Sequence, residues 1–201
     1  MTVVAIETPH GQANAHLQFA DRPRAALVLG HGAGGGVTAR DLVTAAEAAL
    51  DERISVALVE QPYRVAGRRS PAPAHHLDAA WTAVVEELRT NVFDGLPAVT
   101  GGRSSGARVA CRTAGATGAA AVLCLAFPLE PPRRSGPRPS RLDELAAVTV
   151  PVLVVQGVRD PFGMPPAGTT RTVVQVNGDH SLRSDLAALG AAVRGWLAQT
   201  V

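Results

Sequence analysis

Residues 97–115 read PAVTGGRSSGARVACRTAG, and the way this stretch breaks decides the fold. PAVTGG (97–102) is a brief apolar run closed by glycines, which reads as a strand. SGARVACRTAG (105–115) reads as a helix. Between them, Gly102-Arg103-Ser104-Ser105-Gly106 forms a G-x-S-x-G pattern, and a strand-to-helix junction is the context in which that pattern exposes its central serine on a tight turn. Ser105 has Arg103 two positions before it rather than a glycine, so Ser104 is the candidate nucleophile. Taken alone, the five residues read equally well as a glycine-rich turn.

The same alternation extends in both directions. AALVLG (25–30) and ISVALVE (54–60) are short apolar runs of the kind found in strands buried on both faces, and AAVLCLAF (120–127), VPVLVVQG (150–157) and RTVVQV (171–176) read as further strands. Between them, residues 39–51 read as a helix, and Leu77, Ala80, Trp81, Val84, Val85 and Leu88 fall at helical spacing. Leu182, Leu186, Leu189, Val193 and Trp196 predict a closing helix, with Ser181 as its N-cap. Strands alternating with helices predict an α/β fold with a mostly parallel sheet covered on both faces. Residues 2–7 and 15–19, separated by Pro9 and Gly11, predict an antiparallel hairpin at one edge.

Composition narrows the function classes. The 201 residues, 46% hydrophobic and 18% charged, predict one globular domain over residues 1–201. No apolar run approaches the roughly 18 residues of a membrane helix, and the first residues lack the pattern of a signal peptide. The expectation is a cytoplasmic protein with no membrane partner. All 19 basic residues are arginine, yet the net charge is only +2, which argues against a whole-chain polyanion binder. With 3% aromatics there is little to stack bases, so no nucleic-acid partner is expected. Cys111 and Cys124 are too few for a disulfide framework or a zinc site and read as small buried hydrophobes.

A serine hydroxyl needs a base, and the base needs an orienting carboxylate. Asp160 follows strand 150–157 and His180 follows strand 171–176, so both fall at the sheet edge expected for Ser104. Glu130, after strand 120–127, and Asp179, beside the histidine, are rival acids; Asp160 is placed first and Glu130 second. HGAGGG (31–36), directly after strand 25–30, can supply backbone N–H donors to an anionic intermediate. The expected oxyanion donors are Ala33, with Gly34 as second choice, and Ser105 at the start of its helix; His31 is read as shaping the turn. The same segment has a competing reading. Gly30, Gly32 and Gly35 satisfy G-x-G-x-x-G and Glu60 ends the next strand, the outline of a dinucleotide-binding oxidoreductase.

HGAGGG, GGRSSG, GVRDPFG (157–163) and GDHSL (178–182), in that order, resemble the alpha/beta-hydrolase superfamily, and within it the small lidless proteins similar to dienelactone hydrolases. QPYRVAGRR (61–69) and FPLEPP (127–132) add a resemblance to a bacterial group related to an NSL chromatin-complex subunit. The resemblance covers residues 25–201. It implies a three-layer alpha/beta-hydrolase sandwich, a Ser104–Asp160–His180 triad, and Ala33 and Ser105 as oxyanion donors. Dienelactone hydrolases use a cysteine nucleophile where this chain has Ser104, so their substrate does not carry over. The expected activity is that of a serine hydrolase on carboxylic esters, with a small acyl substrate and no metal or organic cofactor. Because related eukaryotic proteins are scaffolds, a non-catalytic binding or scaffold protein is the alternative.

Two loops shape the expected substrate. The connection 128–141 has only 14 residues, too few for a helical lid, so an open groove is expected. Arg64, Arg68 and Arg69 follow one strand, Arg133, Arg134, Arg138 and Arg141 lie in or end the loop after another, and Arg103 adjoins the nucleophile. These eight of 19 arginines either ring the mouth as a site for a carboxylate or phosphate, or are solvated loop residues.

Overall fold

The computed structural model describes residues 2–130 and 139–201. One eight-stranded sheet organises them, in the order β1-β2-β4-β3-β5-β6-β7-β8. β1 (Thr2–Ile6), β2 (Ala13–Gln18) and β4 (Ile54–Glu60) are joined by antiparallel pairings; β3 (Ala25–Gly30), β5 (Ala98–Arg103), β6 (Ala121–Leu125), β7 (Val152–Gly157) and β8 (Arg171–Val176) run parallel to β4. The predicted hairpin is present. Its second strand lies earlier than the expected 15–19: Ala13, Ala15 and Leu17 are the buried face, and Phe19 lies past the end, 59% exposed.

Side-chain alternation on the buried strands builds three cores. Leu27, Leu29, Leu123 and Leu153 face α1 (Arg40–Asp51) and α6 (Leu186–Thr200), which contribute Leu42, Ala45, Leu189 and Val193. Ala26, Val28 and Val59 face the long helix α3 (Ala74–Asn91), through Trp81, Val84 and Leu88. Val122 and Val154 face α4 (Ser105–Thr113) and the short α5 (Leu142–Ala146). This is the expected three-layer arrangement. Cys111 and Cys124 are buried in the last of these cores, with Sγ atoms 3.5 Å apart.

Two short helices were not foreseen: α2 (Pro62–Val65), which opens on a proline, and α5. The closing helix also starts later than its apolar spacing implies. Its N-cap is Asp185, whose side chain accepts from the Ala188 amide at 3.1 Å; Ser181 bonds Asp179 instead, and Leu182 sits in a turn at φ 50°. Among the described residues, no helix is long and apolar enough to cross a membrane.

β3 has β4 on one side and β5 on the other, so the connections leaving β3 and β5 part in opposite directions. Such a switch point opens a crevice at the carboxyl ends of the strands. Both glycine-rich segments singled out above leave the sheet there, from the paired ends Gly30 and Gly102.

Candidate active site

Ser104 occupies the break between β5 and α4 at φ 51°, ψ −105°. A residue with a Cβ is strained there, a conformation that persists only when its surroundings enforce it. The enforcement is visible: the Ser104 amide donates to Leu125 O at 2.9 Å, and the Ser104 carbonyl accepts from the Arg108 amide at 3.2 Å. Glycines supply the rest. A Cβ on either Gly102 or Gly106 would lie 2.4 Å from Gly30 O, so α4 can seat on the sheet only without side chains at these positions.

His180 reaches across to this turn. Its Nε2 lies 2.9 Å from Ser104 Oγ, and its Nδ1 lies 2.8 Å from Asp160 Oδ2. With Ser104 donating to Nε2, Nδ1 carries the proton and donates to the carboxylate. The Asp160 side chain is fully buried. It also accepts from Gln156 Nε2 at 2.9 Å, and through Oδ1 from the Phe162 amide at 2.9 Å. Phe162 packs against the His180 ring at 4.3 Å between centroids. Of the three acids considered, Asp160 is the one bonded to His180. Glu130 is exposed, and the Asp179 carboxylate accepts from Ser181 N and Oγ, which hold it below the usual carboxylate range.

The HGAGGG turn is ordered by buried bonds. His31 Nε2 accepts from the Gln61 amide at 3.2 Å, which fixes the proton on Nδ1, and Nδ1 donates to Gly32 O at 2.8 Å. Burial pushes the His31 pKa down, consistent with this neutral form. Gly32 O also accepts from the Gly35 amide at 3.1 Å. A trans peptide directs its N–H opposite to its C=O, so the Ala33 N–H is turned away from these partners. The next carbonyl, Ala33 O, accepts from the Tyr63 hydroxyl at 3.0 Å. Ser105 opens α4, where the first N–H groups have no intrahelical acceptor.

The glycines do not lead straight into a helix as a dinucleotide fingerprint requires: α1 begins only at Arg40. Glu60, the acid of that reading, contacts His16 at 3.0 Å. Among the described residues, no group of three or more metal-ligating side chains converges.

A groove of about 480 Å³ opens beside His180, lined by Arg103, Arg159, Pro161, Asp179, His180 and Ser181. Arg103 turns inward: its Nε lies 2.8 Å from Asp41 Oδ2 and its Nη2 donates to His180 O at 3.1 Å. Arg64 lies in α2, with Arg68 and Arg69 exposed beyond it. Arg68 lines a separate hollow of about 500 Å³, with His10, Tyr63 and His76. Arg133 and Arg134, like Arg138, lie outside the described residues.

The family model of the alpha/beta hydrolase domain matches residues 23–190. The chain belongs to the alpha/beta-hydrolase family. No curated protein sequence matches it. Among solved structures, this alpha/beta hydrolase is similar to Est1E from Butyrivibrio proteoclasticus, with a TM-score of 0.81 at 14% identity, covering 100% of this chain and 99% of that one. It is also similar to a serine hydrolase without lid from Xanthomonas campestris, with a TM-score of 0.73 at 19% identity over 97% and 94% of the two chains. A dienelactone hydrolase from Anabaena variabilis matches with a TM-score of 0.73 at 14% identity over 99% and 95%. At these identities the likeness is one of fold.

Sequence reasoning missed the supporting residues of this alpha/beta hydrolase. A lone Gln156 inside the apolar run VLVVQG was the readable signal, because a buried amide demands partners. Phe162, Tyr63 and the Arg103–Asp41 contact left no comparable mark.

Proposed function

We propose that this alpha/beta hydrolase is a serine hydrolase of carboxylic esters. The reading rests on the hydrogen-bonded chain from Ser104 Oγ through His180 to Asp160. Ser104 Oγ attacks the acyl carbonyl as its proton passes to His180 Nε2. The resulting oxyanion is received by the N–H groups of Ala33 and Ser105. His180 returns the proton to the departing alcohol as the ester C–O bond breaks. Water then gives its proton to His180, attacks the acyl-enzyme and frees the acid, and Ser104 regains its proton. Asp160 holds the imidazole in one tautomer and stabilises its charged form. No step calls for a metal or organic cofactor.

The substrate in this reading is a small acyl ester in an open groove, with an anionic group as the finer version. For that version, kcat/KM for an anionic ester exceeds that for its neutral isostere and falls as salt is added. Equal values at low salt remove it.

A fluorophosphonate probe and a panel of p-nitrophenyl esters of increasing acyl length test the activity. A ferulate ester belongs in the panel, because Est1E has been solved with ferulic acid bound. The parent protein is expected to be labelled and to turn over esters, with both lost in Ser104→Ala and turnover lost in His180→Ala. Labelling that survives unchanged in Ser104→Ala overturns the assignment. Turnover indistinguishable between the parent and His180→Ala leaves a binding or scaffold role.

A further inference from the structure

We propose that Arg103, the residue before Ser104 in the G-x-S-x-G turn, is a positioning residue that sets the Ser104–His180 geometry from behind. The inference rests on the hydrolase reading above. Each nitrogen of its guanidinium faces a different segment. Nε lies 2.8 Å from Asp41 Oδ2 at the start of α1. Nη2 donates to the backbone carbonyl of His180 at 3.1 Å. Nη1 lies against the glycine-rich turn, 2.8 Å from where a Cβ on Gly32 would stand. Its backbone ends β5, paired with Leu125 of β6. One rigid planar group thus spans the nucleophile turn, the oxyanion turn, α1 and the histidine loop.

The counter-charge makes this a built device rather than a stray surface arginine. Asp41 is 1% exposed, far more buried than carboxylates normally are without a partner. Its Oδ1 accepts from the Leu42 amide at 3.0 Å, and the Arg103 cation lies at its other oxygen. The Arg103 side chain is itself 19% exposed, so its charge is balanced from within, and Nη2 is spent on the His180 carbonyl. An anionic substrate would compete with Asp41 for it. The guanidinium therefore acts on the reaction through His180 and the oxyanion turn. Lysine is no substitute, because one ammonium cannot direct donors along three fixed directions.

Displacement of a reacting group by about 1 Å costs on the order of 10²-fold in rate. Arg103→Met is therefore expected to lower kcat about 100-fold on p-nitrophenyl acetate, with KM within threefold of the parent. Added methylguanidinium restores at least fivefold of the loss, which a general structural defect would not allow. The downfield Nδ1–H proton resonance of His180, assigned by its loss in His180→Gln, broadens in Arg103→Met. Arg103→Lys keeps the charge and the fold and remains at least tenfold slow; it carries the same test should Arg103→Met fail to fold. A kcat within threefold of the parent, or an unchanged His180 resonance, in the folded variant overturns the proposal. The resonance is read in the resting protein. If the parent neither turns over esters nor takes the fluorophosphonate, the hydrolase reading fails while the His180 resonance still decides what Arg103 does.

Discussion

Gly30 and Gly106 are in backbone contact: the Gly30 carbonyl oxygen occupies the space into which any side chain on Gly106 would project, 2.4 Å from an ideal Cβ. Gly102, opposite Gly30 in the sheet, meets the same oxygen at the same distance. The helix that begins at the Ser104 turn is thus held against the end of β3 by three glycines from three segments.

Gly102→Ala and Gly106→Ala should each cost about 3 kcal/mol or more, because the clash is with backbone and cannot be relieved by a rotamer change. Gly36→Ala has nothing within 4 Å of the added methyl and should be neutral or stabilising by about 0.4–1 kcal/mol. Urea denaturation of the three variants makes the comparison. A Gly106→Ala protein as stable as the parent would remove close approach as the reason for the pattern.

His31 predicts a specific pH dependence of stability. Its pKa in the folded protein is lowered by burial from the ordinary 6.5, so as pH falls through 6.5 the unfolded chain takes up a proton that the folded one refuses. Stability from this group is complete above 6.5 and is lost toward lower pH, at up to about 1.4 kcal/mol per pH unit. His31→Gln keeps an acceptor for the Gln61 amide and cannot titrate. Its unfolding free energy should fall less steeply between pH 7 and 5 than the parent's, and parallel curves would refute the assignment.

The sheet was legible because β3, β4, β6 and β7 are buried on both faces and so read as unbroken apolar runs. Ser104, Asp160 and His180 were legible because each lies just past a strand, and parallel strands deliver such positions to one edge. What holds them was not. Asp41 reads as an ordinary acidic residue in the first turn of a helix, and Arg103 as one of eight arginines that either ring the mouth for an anion or are solvated. Only folding reveals that one is buried against the other. Asp185 escaped because Leu182 continues the apolar spacing of α6 across a turn that it does not extend.

Gln156 is the amide on which Asp160 rests. Its Nε2 lies within hydrogen-bond distance of Asp160 Oδ2, Gly163 O and Phe127 O, at 2.9, 2.9 and 3.1 Å. Gln156→Leu preserves volume but strips these buried acceptors of a donor, at a cost of about 1–3 kcal/mol. Because one acceptor is the carboxylate bonded to His180, kcat on esters should fall as well, by about tenfold. A variant that loses stability and keeps full kcat would show that Asp160 is held adequately by the Phe162 amide alone.

Two arginines tie α4 to its neighbours away from Ser104. Arg112 bonds Asp78 of α3 through Nε and Nη2 at 2.8 and 2.6 Å, with Nη1 3.4 Å from Glu144 of α5. Arg108 bonds the same Glu144 through Nε and Nη2 at 2.8 and 2.6 Å. These side chains are about one-fifth to one-quarter exposed, so the pairs are screened less than surface ones, and planar forks on carboxylates are the favourable geometry. Arg112→Met should cost about 1–2 kcal/mol, and Asp78→Asn a similar amount. The double variant should lose less than the sum, by about 0.5 kcal/mol or more, since each single change leaves the other charge without its partner. Added salt should narrow the gap between parent and variants. Because neither side chain reaches the groove, kcat/KM on a neutral ester should stay within twofold of the parent at 25 °C. Strict additivity of the two losses would mean that the contact contributes nothing to the seating of α4.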